Sequence, residues 1–256
     1  MILAVDIGNT TVSLAIVRGQ SVQRTWQVLT RLPPQRFKRE FRRTILRIRK
    51  MSSFEAVVVC SVVPFATNIV RQEVKNVLKL KLIEIGKDII VPMKNLYRRP
   101  KEVGQDRLVG AYAAMNQYGK PLIVIDFGTA VTFDVVSQKG EYMGGAIVPG
   151  LRLFAESLFE KTALLPKVKI HKPREIIGRD TGNSILSGTF YGYGALCEGM
   201  AALISKKLRH KPKVILTGGY AAHVKGFIKH KDAIDESLIF KGLNLIYEHR
   251  SRQGNH

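Results

Sequence analysis

Twice in this chain, at points 120 residues apart, an apolar β-branched run ends in Asp-x-Gly with small polar residues, and a second apolar run follows. The first device is Val5-Asp6-Ile7-Gly8-Asn9-Thr10, leading into Val12 to Val17; the second is Ile125-Asp126-Phe127-Gly128-Thr129-Ala130, leading into Val131 to Val136. Each reads as a hairpin whose tight turn presents backbone N–H groups and one carboxylate at the end of a sheet. Glycine lets the backbone approach a bulky anion, and Thr and Asn add donors, so such turns suit phosphate oxygens. A carboxylate cannot bind phosphate directly. It can hold a metal ion, or the water around one, that bridges phosphates. One such turn is an ordinary hairpin, whereas two, opening two half-chains, point to a duplicated α/β unit.

A chain of 256 residues accommodates two domains of about 120 residues each, and a hydrophobic fraction of 45% supplies a sizeable core. Cys60 and Cys197 lie far apart in apolar or mixed surroundings and read as buried free thiols of a reducing compartment. Asp6 interrupts what would be the apolar stretch of a signal peptide, no basic segment precedes it, and no run approaches about 18 apolar residues. The expectation is a cytoplasmic protein without a membrane span.

After the opening strands, Arg36, Lys38, Arg39, Arg42, Arg43, Arg47, Arg49 and Lys50 alternate with Phe37, Phe41, Ile45, Leu46 and Ile48. The apolar positions recur at helical spacing, predicting an amphipathic surface helix with a solvated basic face. That segment contributes much of the formal net charge of +21. A balance this basic attracts polyanions, but no stacking aromatics or helix-turn-helix pattern accompanies it, so a nucleic acid partner is not expected. Ala56 to Val63 reads as a buried strand stopped by Pro64, Thr67 to Leu80 as a helix, and Leu82 to Ile85 as a further strand. Arg107 to Tyr118 is a helix, and the second hairpin opens a second α/β unit at Leu122. Glu141 to Leu151 reads as a glycine-rich connection, 164–182 as a loop, Asn183 to Leu208 as a long helix, and Val214 to Leu216 as a strand ending in Thr217-Gly218-Gly219. The expected domains are 1–117 and 118–250 with a ligand cleft between them, followed by a disordered tail, 251–256.

Gly104-Gln105-Asp106-Arg107 sets a carboxylate and a guanidinium side by side at a helix start, where the helix dipole favours an anion nearby. Asp106 is equally acceptable there as a helix cap. No Walker lysine motif, no Gly-x-Gly-x-x-Gly after a strand and no His-Glu-x-x-His pair occurs, and the six histidines are scattered.

Paired Asp-x-Gly turns across a cleft are the nucleotide grip of the actin, sugar-kinase and heat-shock ATPase superfamily, which the chain resembles. Within it, the order of motifs resembles the type III pantothenate kinase family. These are Asp6-x-Gly-Asn-Thr10, Ser61-Val62-Val63-Pro64, Glu102-Val103-Gly104-x-Asp106-Arg107, Val124 to Ala130, Gly144-Gly145-x-Ile147-x-Pro149-Gly150, Leu165-Pro166, Ile177-Gly178-x-Asp180-Thr181, Ser187-Gly188 and Leu216 to Gly219. The resemblance implies an α/β fold of two similar ribonuclease-H-like, actin-like ATPase domains. It also implies ATP-dependent phosphorylation of the primary hydroxyl of pantothenate to 4'-phosphopantothenate, the first step of coenzyme A biosynthesis.

Carried over by position, ATP would lie on Asp6, Ile7, Gly8, Asn9, Thr10, Thr11, Val12, Ser13 and Thr129, with Gly218 and Gly219 at the adenosine. Asp106 matches the catalytic carboxylate. Tyr97, Gly104, Gln105, Asp106, Arg107 and Thr181 match the substrate positions, Thr181 reaching in from the second subunit of a homodimer whose interface carries the substrate site. Asp126 matches a ligand of the monovalent cation, potassium or ammonium, and Asp6 would lie closest to magnesium. The chain departs from the family at Arg99-Pro100, where Asn-Pro is usual, and at Gly110, where Asn is usual. A kinase for another small acid or sugar, and a regulator or nucleic-acid-binding accessory factor built on the kinase fold, are the alternatives. The presence of Asp6, Asp106, Asp126 and Thr129 speaks against the regulator.

Overall fold

The first hairpin forms as expected: β1 (Ile2–Ile7) turns into antiparallel β2 (Thr11–Arg18), which pairs with β3 (Ser21–Leu29). A computed structural model of the chain describes residues 1–253 and divides them into two units, each with its own five-stranded sheet. Unit 1 holds Met1–Met93, Arg99–Ala113 and residues 237–253; unit 2 holds Lys94–Arg98 and Ala114–Glu236.

In unit 1, α1 (Pro34–Arg49), β4 (Ala56–Ser61), α2 (Pro64–Leu78) and β5 (Leu82–Glu84) complete the sheet order β3-β2-β1-β4-β5. β4 lies parallel between β1 and β5, which explains why Ala-Val-Val-Val-Cys is an unbroken apolar run rather than an alternating one. Pro64 starts α2 at a position whose amide has no helical partner. The buried stripe of α1 is Phe37, Phe41, Ile45 and Ile48, whereas Leu46 stays 40% exposed on the outer face. Two cations of that helix have a partner invisible in its own sequence: Glu73 of α2, fully buried, accepts from Arg42 at 3.4 Å and pairs with Lys38 at 3.7 Å. α3 (Gln105–Tyr118) begins in this unit. The closing helix α7 (Leu238–Gln253) also belongs to it; Gly242 lies so close to Val109 that a Cβ would meet its Cγ1 at 2.7 Å. α7 includes Ser251, Arg252 and Gln253, and the rest of the expected tail, 254–256, lies outside the described residues.

Unit 2 repeats the plan. β6 (Leu122–Phe127), β7 (Ala130–Val136) and β8 (Tyr142–Pro149) are antiparallel neighbours, and β9 (Lys213–Thr217) and β10 (Ala233–Ile234) extend the sheet in parallel, giving the order β8-β7-β6-β9-β10. The two orders are the same when β1 is matched to β6, so the duplication read from the hairpins extends to both whole sheets. α4 (Leu151–Lys161) and α5 (Thr181–Ser205) follow β8, and α6 (Ala221–Val224) follows β9. Ile123, Ile125, Phe127, Val131 and Phe133 meet Phe190, Tyr193 and Cys197 of α5 in the core.

The expected connection at 141–151 is instead a strand. Glycines at 144 and 145 hide its alternation, but β8 pairs with β7 along its length, and Gly144 adopts φ +107°, a conformation that favours glycine. α5 starts two residues earlier than expected because Asp180 caps it, Oδ1 accepting from the Asn183 amide at 2.8 Å. Cys60 and Cys197 are both free and buried. Among the described residues no helix is long and apolar enough to cross a membrane.

Candidate active site

The two Asp-x-Gly turns occupy equivalent places in their sheets. In unit 1, Asp6 faces Ser13 across β2 and stands beside Cys60 of β4; in unit 2, Asp126 faces Thr132 across β7 and stands beside Thr217 of β9. Each aspartate is therefore at the end of a central strand with a hydroxyl side chain opposite. The first turn is the wider: Ile7 pairs with Val12, leaving 8–11, and the Gly8 amide donates to the Thr11 carbonyl at 3.0 Å. In the second, Phe127 pairs with Val131, leaving 128–130, and the Gly128 amide donates to Ala130. Ile7 and Val12 have no exposed surface, so only their backbone can face a ligand; Asn9 is exposed, and Gly8, Thr10, Thr11 and Ser13 are half-buried.

A residue that sequence reasoning missed braces the first turn. The Thr30 hydroxyl donates to the Gly8 carbonyl at 2.8 Å and its amide to the Thr10 carbonyl at 2.9 Å. Nothing distinguishes Thr30 in the sequence from any threonine at a strand end.

Asp106 is the second residue of α3, and its Oδ1 accepts from the Arg107 amide at 2.8 Å. Gly104 precedes it, and an added Cβ there would run into Asp106 Oδ1. Gln105 is fixed likewise: its side chain lies over Gly86, at φ +85°, where a Cβ would meet Gln105 Cδ at 2.6 Å. Burial pushes the Asp106 carboxyl above its ordinary 3.8, while the Arg107 amide and guanidinium pull it back. Cys60 registers the acidity of this end of the sheet: burial, then the charges of Asp6, Asp106 and Glu84, hold its thiol neutral well above its ordinary value. Unit 1 thus brings the charges of Asp6 and Asp106 to one neighbourhood, that of Cys60.

In unit 2, Gly218, at φ +90°, closes against the second turn: a Cβ there would collide with Asp126 Oδ1 and approach the Phe127 amide nitrogen at 2.7 Å. The Tyr220 amide donates to the Phe127 carbonyl at 3.2 Å. Asp126, the Gly218-Gly219 turn and the second hairpin turn are therefore one packed assembly, with Thr129 exposed on it. Gly150 backs the same turn, donating to the Thr129 carbonyl at 3.0 Å.

Tyr97 belongs to unit 2 although most of its sequence neighbours belong to unit 1. The segment 94–98 docks on β8: the Tyr142 amide donates to Lys94, the Leu96 amide donates to Tyr142, each at 2.8 Å, and the Tyr97 ring lies over Gly144. Thr181 is exposed as the first residue of α5. In the loop that precedes it, Ile177 is 76% exposed, Ile176 64% and Leu164 92%.

Comparison with known proteins adds the family. Residues 2–203 match the model of a family described as type III pantothenate kinase. A type III pantothenate kinase from Anaeromyxobacter sp. (strain Fw109-5) is 39% identical over 97% of this chain and 99% of the relative. Among solved structures, a conserved protein of Campylobacter jejuni assigned to the Baf family of transcriptional activators superposes with a TM-score of 0.62 at 18% identity, over 98% of this chain and 99% of that one. The activator of 2-hydroxyisocaproyl-CoA dehydratase from Clostridium difficile, solved with bound ADPNP, superposes with a TM-score of 0.51 at 11% identity, over 100% and 97%. Likeness at these identities establishes the shared fold.

Proposed function

The chain belongs to the type III pantothenate kinase family, and from that premise we propose how its residues carry out the family's reaction. The protein is an ATP-dependent kinase that phosphorylates pantothenate to 4'-phosphopantothenate, opening coenzyme A biosynthesis. The observation that carries the residue assignment is the Gly104-Asp106-Arg107 arrangement: a carboxylate raised in pKa by burial, in a place that only glycine at 104 leaves open, beside a guanidinium.

ATP phosphates lie on the turn 8–11, with Thr10, Thr11 and Ser13 as side-chain donors and Thr129 adding a hydroxyl from the second turn. Gly218 and Gly219 take the adenosine. Arg107 pairs with the carboxylate of pantothenate, and Tyr97 packs against the same substrate. Asp106 accepts a hydrogen bond from the primary hydroxyl and takes its proton as that oxygen bonds to the γ-phosphorus and the bond to ADP breaks. The raised pKa makes Asp106 a better base than an ordinary carboxylate. In a loose phosphoryl transfer, alignment of the hydroxyl matters more than base strength.

The donor sets fit the metals. Among the described residues no group of three His, Cys, Asp or Glu side chains is placed to hold a metal ion, and a magnesium ion that keeps waters and phosphate oxygens needs only one or two carboxylates. Asp6 is that carboxylate, and a bound magnesium ion neutralises phosphate charge. Asp126, walled by Gly218, suits a monovalent cation, potassium or ammonium. The exposed Ile176 and Ile177, which precede Thr181 by four to five residues, support a homodimer, because a second copy covering them would come to the start of α5. Buried free thiols accord with a cytoplasmic enzyme.

The test is acceptor competition: Mg-ATP and potassium with an equimolar mixture of pantothenate, N-acetylglucosamine and glucose. Phosphate is expected on pantothenate alone. Transfer to a sugar, with pantothenate untouched, would overturn the assignment.

A further inference from the structure

β8 carries a buried polar connection that the proposed reaction does not use directly. Asp134 of β7 is 2% exposed, so its carboxylate is held away from solvent. It accepts from the Thr132 hydroxyl at 2.8 Å and from the Tyr142 hydroxyl at 2.7 Å. Tyr142 itself is fully buried, so its ring and hydroxyl are held by packing as well as by hydrogen bonding. Its backbone reaches the other way. Its amide donates to Lys94, its carbonyl accepts from Leu96, and the register pairs it with Asn95 in a parallel bridge. Asn95 Oδ1 in turn accepts from the Tyr97 amide at 2.9 Å.

Two residues further along β8, Gly144 is the floor beneath Tyr97. A Cβ on Gly144 would sit 3.1 Å from Tyr97 Cδ2 and 3.2 Å from Cε2, tighter than ordinary van der Waals contact. A side chain at 144 would therefore make the ring give by a few tenths of an ångström. Lys94 Nζ, paired with Glu141 at 3.0 Å, pins the start of the same segment.

We propose that the start of β8 is a positioning device for pantothenate recognition: Asp134 fixes Tyr142, Tyr142 fixes the segment 94–97, and Gly144 sets the height of the Tyr97 ring. The inference rests on the reading that Tyr97 faces pantothenate. It assigns Asp134, Tyr142 and Gly144 to substrate affinity, acting through another residue and not through contact with the reacting atoms. A small movement of a positioning group is enough to weaken a bound geometry strongly.

The experiment is a double-mutant cycle on the full-length protein with Gly144→Ala and Tyr97→Ala, reading kcat, the pantothenate KM and the ATP KM. Gly144→Ala is expected to raise the pantothenate KM about tenfold with the ATP KM changed less than about twofold, and to have no further effect on either KM once Tyr97 is alanine. The positive φ at 144 strains any side chain, so melting temperature is recorded in parallel; that strain persists in the Tyr97→Ala background, whereas the KM effect vanishes. Tyr142→Phe, which keeps the ring and loses only the hydroxyl, is the second variant. It is expected to raise the pantothenate KM about threefold at unchanged kcat. Effects of Gly144→Ala that multiply with those of Tyr97→Ala, or that fall equally on ATP, would overturn the proposal. A wild-type protein that transfers no phosphate to pantothenate would instead overturn the reaction assignment on which it rests.

Discussion

The Oδ1 atom of Asp106 occupies the space that a side chain at Gly104 would need. That atom also accepts the Arg107 amide, so the carboxylate is fixed on both sides by the backbone of one turn. Gly104→Ala therefore displaces the carboxylate without touching the ATP turns. Steady-state kinetics should show kcat reduced about 10- to 100-fold with the ATP KM nearly unchanged. A variant with full kcat would show that the position of Asp106 does not limit transfer.

Burial raises the Asp106 pKa, which has opposite consequences for stability and for activity. A carboxyl with a raised folded-state pKa contributes stability that is fully present below the unfolded-state pKa and is lost as pH rises through the folded-state value. At pH 8 the folded protein holds this charge in a desolvated place, and Asp106→Asn removes it. The variant is expected to melt a few degrees above wild type at pH 8, with the difference closing below the ordinary carboxylate value of 3.8. Wild-type kcat/KM should rise with pH through the raised Asp106 value, placing its acid limb above the usual carboxylate range. Calorimetry and a pH–rate profile check the two halves separately.

Glu73 is fully buried, whereas its partners Lys38 and Arg42 are about half exposed, at 51% and 53%. Removing both cations leaves an uncompensated buried charge, so Lys38→Ala with Arg42→Ala should destabilise unit 1 by about 3–5 kcal/mol. Glu73→Met, of similar volume, removes the charge itself and should be near neutral or stabilising. Denaturant unfolding of the two variants decides the order, and a larger loss in Glu73→Met would contradict this account.

Ile176 and Ile177 are exposed four to five residues before Thr181 in the chain, and Leu164 is exposed at 92%. Ile177→Asp should shift the protein from dimer to monomer in sedimentation and raise the pantothenate KM, since Thr181 of the second copy would be withdrawn. A protein that is monomeric before the substitution, with full activity, would remove the dimer from the scheme.

The strands bearing Asp6 and Asp126 were legible because a continuous apolar run, buried on both faces, and an Asp-x-Gly turn are both local signals. The buried stripe of α1 was legible from its helical spacing, and the turn at Gly218 from the glycines that end an apolar run. β8 was hidden by its own glycines, which carry no side chain to alternate. Thr30, Glu73 and the Asp134–Tyr142 pair were beyond reach, because each acts on a residue brought close only by the sheet or by helix packing. The return of α7 to the first unit is likewise tertiary: it is visible in the approach of Gly242 to Val109, and in no pattern of α7 itself.

The most direct measurement is mass spectrometry of pantothenate after incubation with Mg-ATP and potassium, using wild type and Asp106→Asn in parallel with ADP release. The account predicts phosphorylated pantothenate matching the ADP formed in wild type, and a loss of at least about 100-fold in the variant. Undiminished phosphorylation by Asp106→Asn, or ADP release from wild type with no phosphorylated pantothenate, would contradict it.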